Sequence, residues 1–71
     1  MIVYKNIEAE RARNSFSKVE ISSRLSVTTS TYLSWIRGIR EIPSSKLILM
    51  SKIFNTSTDY LLDTDRRINE W

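Results

Sequence analysis

The sequence predicts an all-α fold of five short helices, and three observations predict it. Apolar residues recur at spacings of three and four, the period of a helix face. Serine and threonine stand at the starts of the segments so defined, where side-chain oxygens cap exposed amides. The chain has one glycine and one proline, Gly38 and Pro43, and both fall between segments.

Residues 4–13, YKNIEAERAR, read as the first helix: good helix formers, acids towards the start and Arg11 and Arg13 towards the end, as the helix dipole favours. Asn14-Ser15 ends it, with asparagine the expected left-handed residue, and Phe16 is the first core anchor. Ser17 caps a second helix, residues 18–25, and Glu20 completes a capping box. Ile21 and Leu25 share one face, and Ser22 is small where two helices would cross. Val27 sits in a tight turn. Thr28 then opens a third helix, residues 29–37, with Tyr32 and Trp35 on its core side, and Gly38 ends it with positive φ. Helices two and three, with the turn between them, have the layout of a helix-turn-helix over residues 17–38. Pro43 starts a fourth helix over residues 44–54, with Leu47, Met50, Ser51 and Phe54 on one face. Asn55-Thr56 turns the chain, and Ser57 caps a fifth helix, TDYLLD, with Leu61 and Leu62 available to the core. The charged stretch 64–71 reads as a tail, although Ile68 and Trp71 are unusual residues to leave in water.

Seventy-one residues make one domain, 1–71 with a core of about 4–63, near the lower size at which an apolar core suffices without staples. Cysteine and histidine are absent, so disulfides, cysteine zinc sites and the commonest general base are unavailable. The acids are scattered and no glycine-rich phosphate loop exists, so the expectation is no enzyme, no cofactor and no metal. No apolar run approaches a membrane span and the N-terminus lacks a signal-peptide pattern, which reads as a cytoplasmic protein. Net charge is +3, but residues 11–52 carry eight basic side chains against Glu20 and Glu41. A basic centre around a helix-turn-helix suits a phosphate backbone.

Taken together, NIEAERAR, FSKVEISSRLSVT, TYLSWIRGIREIPSSKL and SKIFNTSTDYLL resemble, in order and spacing, the lambda-repressor-like helix-turn-helix family. That family includes phage Cro and CI repressors and Xre-type regulators, and the likeness covers residues 4–63. The chain departs from its pattern at Ser15 and Ser26, where glycine is usual, and at Ser22, where alanine is often found. Many members pair an arginine of helix one with a glutamate near the end of helix three. Here Arg11 is present but Ile36 holds the acidic position, leaving Arg11 to find another partner.

The resemblance implies that helix three enters the major groove of double-stranded DNA. Base reading would then fall to Thr29, Ser30 and Ser34, with Thr28 and Leu33 at the margin. Hydroxyls serve any base edge and a leucine suits a thymine methyl, so each contact discriminates modestly. Ser17 and Lys18 at the start of helix two, and Arg37, Arg40 and Lys46 beyond helix three, would hold phosphates. Trp35 belongs to the core, and Tyr4 and Tyr60 are packing residues. The implied function is a sequence-specific transcriptional regulator, Cro-like or Xre-type, acting as a homodimer on a pseudo-palindromic operator at the bacterial nucleoid. Leu61, Ile68 and Trp71 are the candidates for the dimer surface, and no small-molecule substrate is evident. A rival reading uses the same fold as a protein-interaction module with degenerate DNA contacts. A third takes the chain as the DNA-binding part of a longer repressor.

Overall fold

The computed structural model describes residues 3–63. Among them the chain forms α1 (Lys5–Arg13), α2 (Lys18–Arg24), α3 (Thr29–Ile36), α4 (Ser44–Phe54) and α5 (Thr58–Leu62). The expected helices are all present, with ends shifted by no more than a residue. No helix of the described residues is long and apolar enough to cross a membrane.

The helix starts follow the capping chemistry. Ser17 Oγ accepts from the Glu20 amide at 3.0 Å and Glu20 Oε1 accepts from the Ser17 amide at 2.7 Å, closing the expected box. Thr28 and Ser57 accept from the Thr31 and Tyr60 amides, each at 3.1 Å. The helix ends share one device. Past α1, α2, α3 and α4 stand Ser15 (φ 60°), Ser26 (φ 60°), Gly38 (φ 76°) and Asn55 (φ 55°), all left-handed. At each end the amide of the next residue reaches back to a carbonyl of the last turn: Phe16 to Arg11, Val27 to Ser22, Ile39 to Ser34 and Thr56 to Ser51, at 2.9–3.0 Å. This is the Schellman closure, which satisfies carbonyls that would otherwise face nothing. The left-handed residue after α1 is therefore Ser15 and not Asn14, whose φ is −90°. Asn14 instead turns its side-chain amide onto the Glu10 carbonyl at 2.8 Å.

Only Gly38 adopts this conformation without strain, and a Cβ there would lie 3.0 Å from Val3 Cγ2, so the Val3 side chain would have to give way by a few tenths of an ångström. Ser15 and Ser26 are each strained by about 1 kcal/mol. Replacing Ser26 by glycine should raise stability by about 0.5–1 kcal/mol, or Tm by roughly 2–8 °C, with DNA preference unchanged. A melting temperature equal to or below that of the parent would refute it.

The core consists of Ile7, Ile21, Leu25, Tyr32, Trp35, Ile36, Met50, Phe54 and Leu61. Helix α2 packs on α3, α1 packs on α3 and α5, and α5 also meets α4. Ser22 is buried on α2, its hydroxyl donating to the Lys18 carbonyl at 2.6 Å, so the polar group adds no unsatisfied donor. Two expectations change. Phe16, the expected first anchor, is only half-buried, its ring 6.3 Å from that of Phe54; the first core residue is Ile7, which is fully buried. Leu61 is fully buried, so it is not a surface for a second subunit, while Tyr60 and Leu62 of α5 are partly exposed. Ile68 and Trp71 lie outside the described residues.

Candidate nucleic-acid interface

Helix α3 sets the geometry of the site. Tyr32, Trp35 and Ile36 face the core, so the opposite side of the helix carries Ser30, Ser34 and, one turn on, Arg37 at spacings of four and three. Eight residues give α3 a length of about 12 Å, commensurate with a major groove about 12 Å wide. Ser30 is exposed, Thr29 and Ser34 are half-buried, and Thr28 is exposed at the N-cap. Thr28 Oγ1, besides capping the Thr31 amide, donates to Thr31 Oγ1 at 3.0 Å, and Ser34 Oγ donates to the Ser30 carbonyl at 3.0 Å. Both hydroxyls keep acceptor capacity towards solvent. Leu33, expected on the outer face, is half-buried and packs against the core.

Arg37 ends α3 and Arg40 follows two residues after the Gly38 turn; both are exposed. Neither makes an ion pair among the described residues. Ile39 stands between them and is 71% exposed. Sequence reading passed over this residue, because an apolar side chain straight after a helix-ending glycine usually packs back onto the helix. Here it stays in solvent beside two cations.

At the start of α2, Ser17 and Lys18 are exposed. The Glu20 carboxylate already occupies this terminus, so anion binding there depends on the Lys18 ammonium and the remaining first-turn amides. Lys46 behaves differently from the other cations. It is half-buried, and its Nζ donates to the Leu25 carbonyl at 2.7 Å, bringing a positive charge from α4 to the C-terminal end of α2. It therefore braces the helix-turn-helix from behind, with two ammonium protons still available. Lys46→Met, which keeps the aliphatic stem, should destabilise the fold by about 1–2 kcal/mol in urea unfolding. An unchanged midpoint would mean that water serves the carbonyl equally well.

Arg11 has found its partner on its own helix. Its Nε and Nη2 each donate to Glu8 at 3.1 Å, and its Nη1 donates to the Phe16 carbonyl at 2.6 Å. Glu8 Oε2 also accepts from the Tyr32 hydroxyl at 2.6 Å. Burial alone would raise the Glu8 carboxyl. Hydrogen bonds from Arg11 and Tyr32, with the charges of Arg11 and Lys18, outweigh it and hold the group below its ordinary range. Burial, then the bond to Glu8 and its charge, push the Tyr32 phenol far above its ordinary value, so it stays a donor.

No group of histidines, cysteines or carboxylates suited to a metal ion occurs among the described residues. The family model described as helix-turn-helix matches residues 7–61. No curated protein and no solved structure matches the chain significantly.

Proposed function

The chain belongs to the Cro/CI/Xre-type helix-turn-helix family of DNA-binding regulators, and from that premise we propose that it is a repressor, phage Cro-like or Xre-type, that occupies a pseudo-palindromic operator. The observation that carries this reading is the outer face of α3: short hydroxyl side chains opposite the core, continued by exposed Arg37 and Arg40. Helix α3 lies in the major groove, with Thr29, Ser30 and Ser34 at base edges and Thr28 and Leu33 at the margins of the contact. Arg37 and Arg40 clamp the phosphates beyond its C-terminal end, and Ser17 and Lys18 hold the backbone on the other side of the groove. Lys46 adds charge behind the turn while bracing it.

One domain reads one half-site, so the working form is a homodimer whose half-site centres lie roughly 34 Å apart, one turn of DNA. Bound operator excludes polymerase, and the protein acts at the nucleoid. Selection from a random double-stranded DNA library, followed by salt titration on the enriched sequences, tests this directly. The expected winner is a two-fold symmetric site. With about 4–6 phosphate contacts per half-site, affinity should fall by roughly three orders of magnitude or more between 50 and 200 mM salt. A library from which nothing is enriched, or a flat salt response, would overturn the reading.

A further inference from the structure

Serine and threonine are short readers. A long arginine can bend to follow a displaced base edge, whereas a hydroxyl one bond from Cβ meets its partner only if the helix itself is correctly turned. The side-chain surface of a helix lies about 5–6 Å from its axis, so a rotation of about 10° moves a reading atom by about 1 Å. That is enough to break a hydrogen bond whose geometry must hold to about 0.5 Å. The rotational setting of α3 therefore matters more here than it would for a face of long side chains.

Trp35 and Ile36 bury the same side of α3 but make no directional bond through their side chains that would select one rotation. Tyr32 supplies direction. Its side chain is fully buried on the core side of α3, opposite Ser30 and Ser34, and its hydroxyl donates to Glu8 of α1 at 2.6 Å, a short bond to a charged acceptor. The acceptor is itself fixed, because the Arg11 fork grips Glu8 through two bonds and holds the Phe16 carbonyl, in the loop leading to α2, with a third. A separate tie, from the Val3 and Tyr4 amides to the Ile36 carbonyl at 2.9 and 3.2 Å, holds the C-terminal end of α3. We propose that Tyr32 is a specificity-determining positioning residue: through Glu8 and Arg11 it sets the rotation of α3, and hence which base edges Ser30 and Ser34 meet, without touching DNA. This rests on the operator-binding reading above.

The test compares the full chain with its Tyr32→Phe variant, which keeps the ring and removes only the hydroxyl. Both are assayed at a temperature where circular dichroism shows them folded, on the operator selected by the parent and on an unrelated duplex. The expected result is a loss of about 10-fold in affinity for the operator, with affinity for the unrelated duplex within about 2-fold, so the ratio of the two falls. A variant that melts earlier but keeps the parent's ratio would reduce Tyr32 to a purely structural role and overturn the inference. If Tyr32→Phe does not fold, Arg11→Lys keeps the charge but loses the fork. It should lower the same ratio, and an unchanged ratio there overturns the inference equally. A parent that selects no operator defeats the operator-binding reading itself, an outcome visible before any variant is made.

Discussion

Replacing Arg37 and Arg40 together by glutamate should reduce operator affinity by about 100-fold or more, with the fold retained and the melting temperature lowered by no more than several degrees. Both side chains are exposed, and neither holds an ion pair among the described residues, so the fold draws on their charge only through the dipole at the end of α3. On DNA each would displace counterions from a phosphate, and reversal turns that gain into repulsion. A dimer carries the change twice, which makes a loss of about 3 kcal/mol a conservative figure. The double alanine variant should fall between, with a shallower dependence of log affinity on log salt. Its slope should drop by roughly 0.9 for every phosphate contact removed. Gel shift or fluorescence anisotropy at two or more salt concentrations measures both quantities. Full affinity in the charge-reversed protein would mean that this end of α3 does not face the backbone.

The parts of this molecule that were legible beforehand are those governed by local chemistry. Ser17 with Glu20, Thr28 and Ser57 announce helix starts because their side chains reach amides only two or three residues away, and each forms the expected bond. The outer face of α3 was readable because Tyr32 and Trp35 fix the helical phase. Helix ends were harder. Glycine marks the left-handed residue when it is present, but Ser15 and Ser26 adopt the same φ with nothing in the residue type to show it. The first helix hid its core residue for a different reason: Ile7 stands among charged neighbours, so its face gives a weak period, although it and Glu10 are buried. Contacts between distant segments were not legible. Lys46 meets a carbonyl 21 residues earlier, and Tyr32 meets a carboxylate 24 residues earlier. In sequence, Lys46 is one more cation and Glu8 with Arg11 is an ordinary solvated pair. Only packing shows that the first braces a turn and the second anchors a helix.

Removing the carboxylate at the centre of that anchor should damage the fold about as much as truncating a core side chain. Glu8→Ala leaves the buried Tyr32 hydroxyl without an acceptor and frees the Arg11 fork from two of its three bonds, with the Arg11 side chain only 17% exposed. The expected loss is about 2–4 kcal/mol, or more than about 10 °C in Tm. Glu8→Gln keeps an acceptor for Tyr32 but not the charge facing Arg11, and should lose about half as much. Acid separates the two effects. Glu8 is held below its ordinary value of 4.5 in the folded protein, so the folded state binds fewer protons at that group than the unfolded chain does. Its contribution is therefore complete above about pH 5 and disappears as pH falls through the folded value. The gap in unfolding free energy between the parent and Glu8→Gln should be widest near pH 7 and narrow steadily below about pH 5. A gap that stays constant from pH 7 to pH 3 would mean that the ion pair is not the source of the stability. The Tyr32–Glu8 bond would then have to act through its geometry alone.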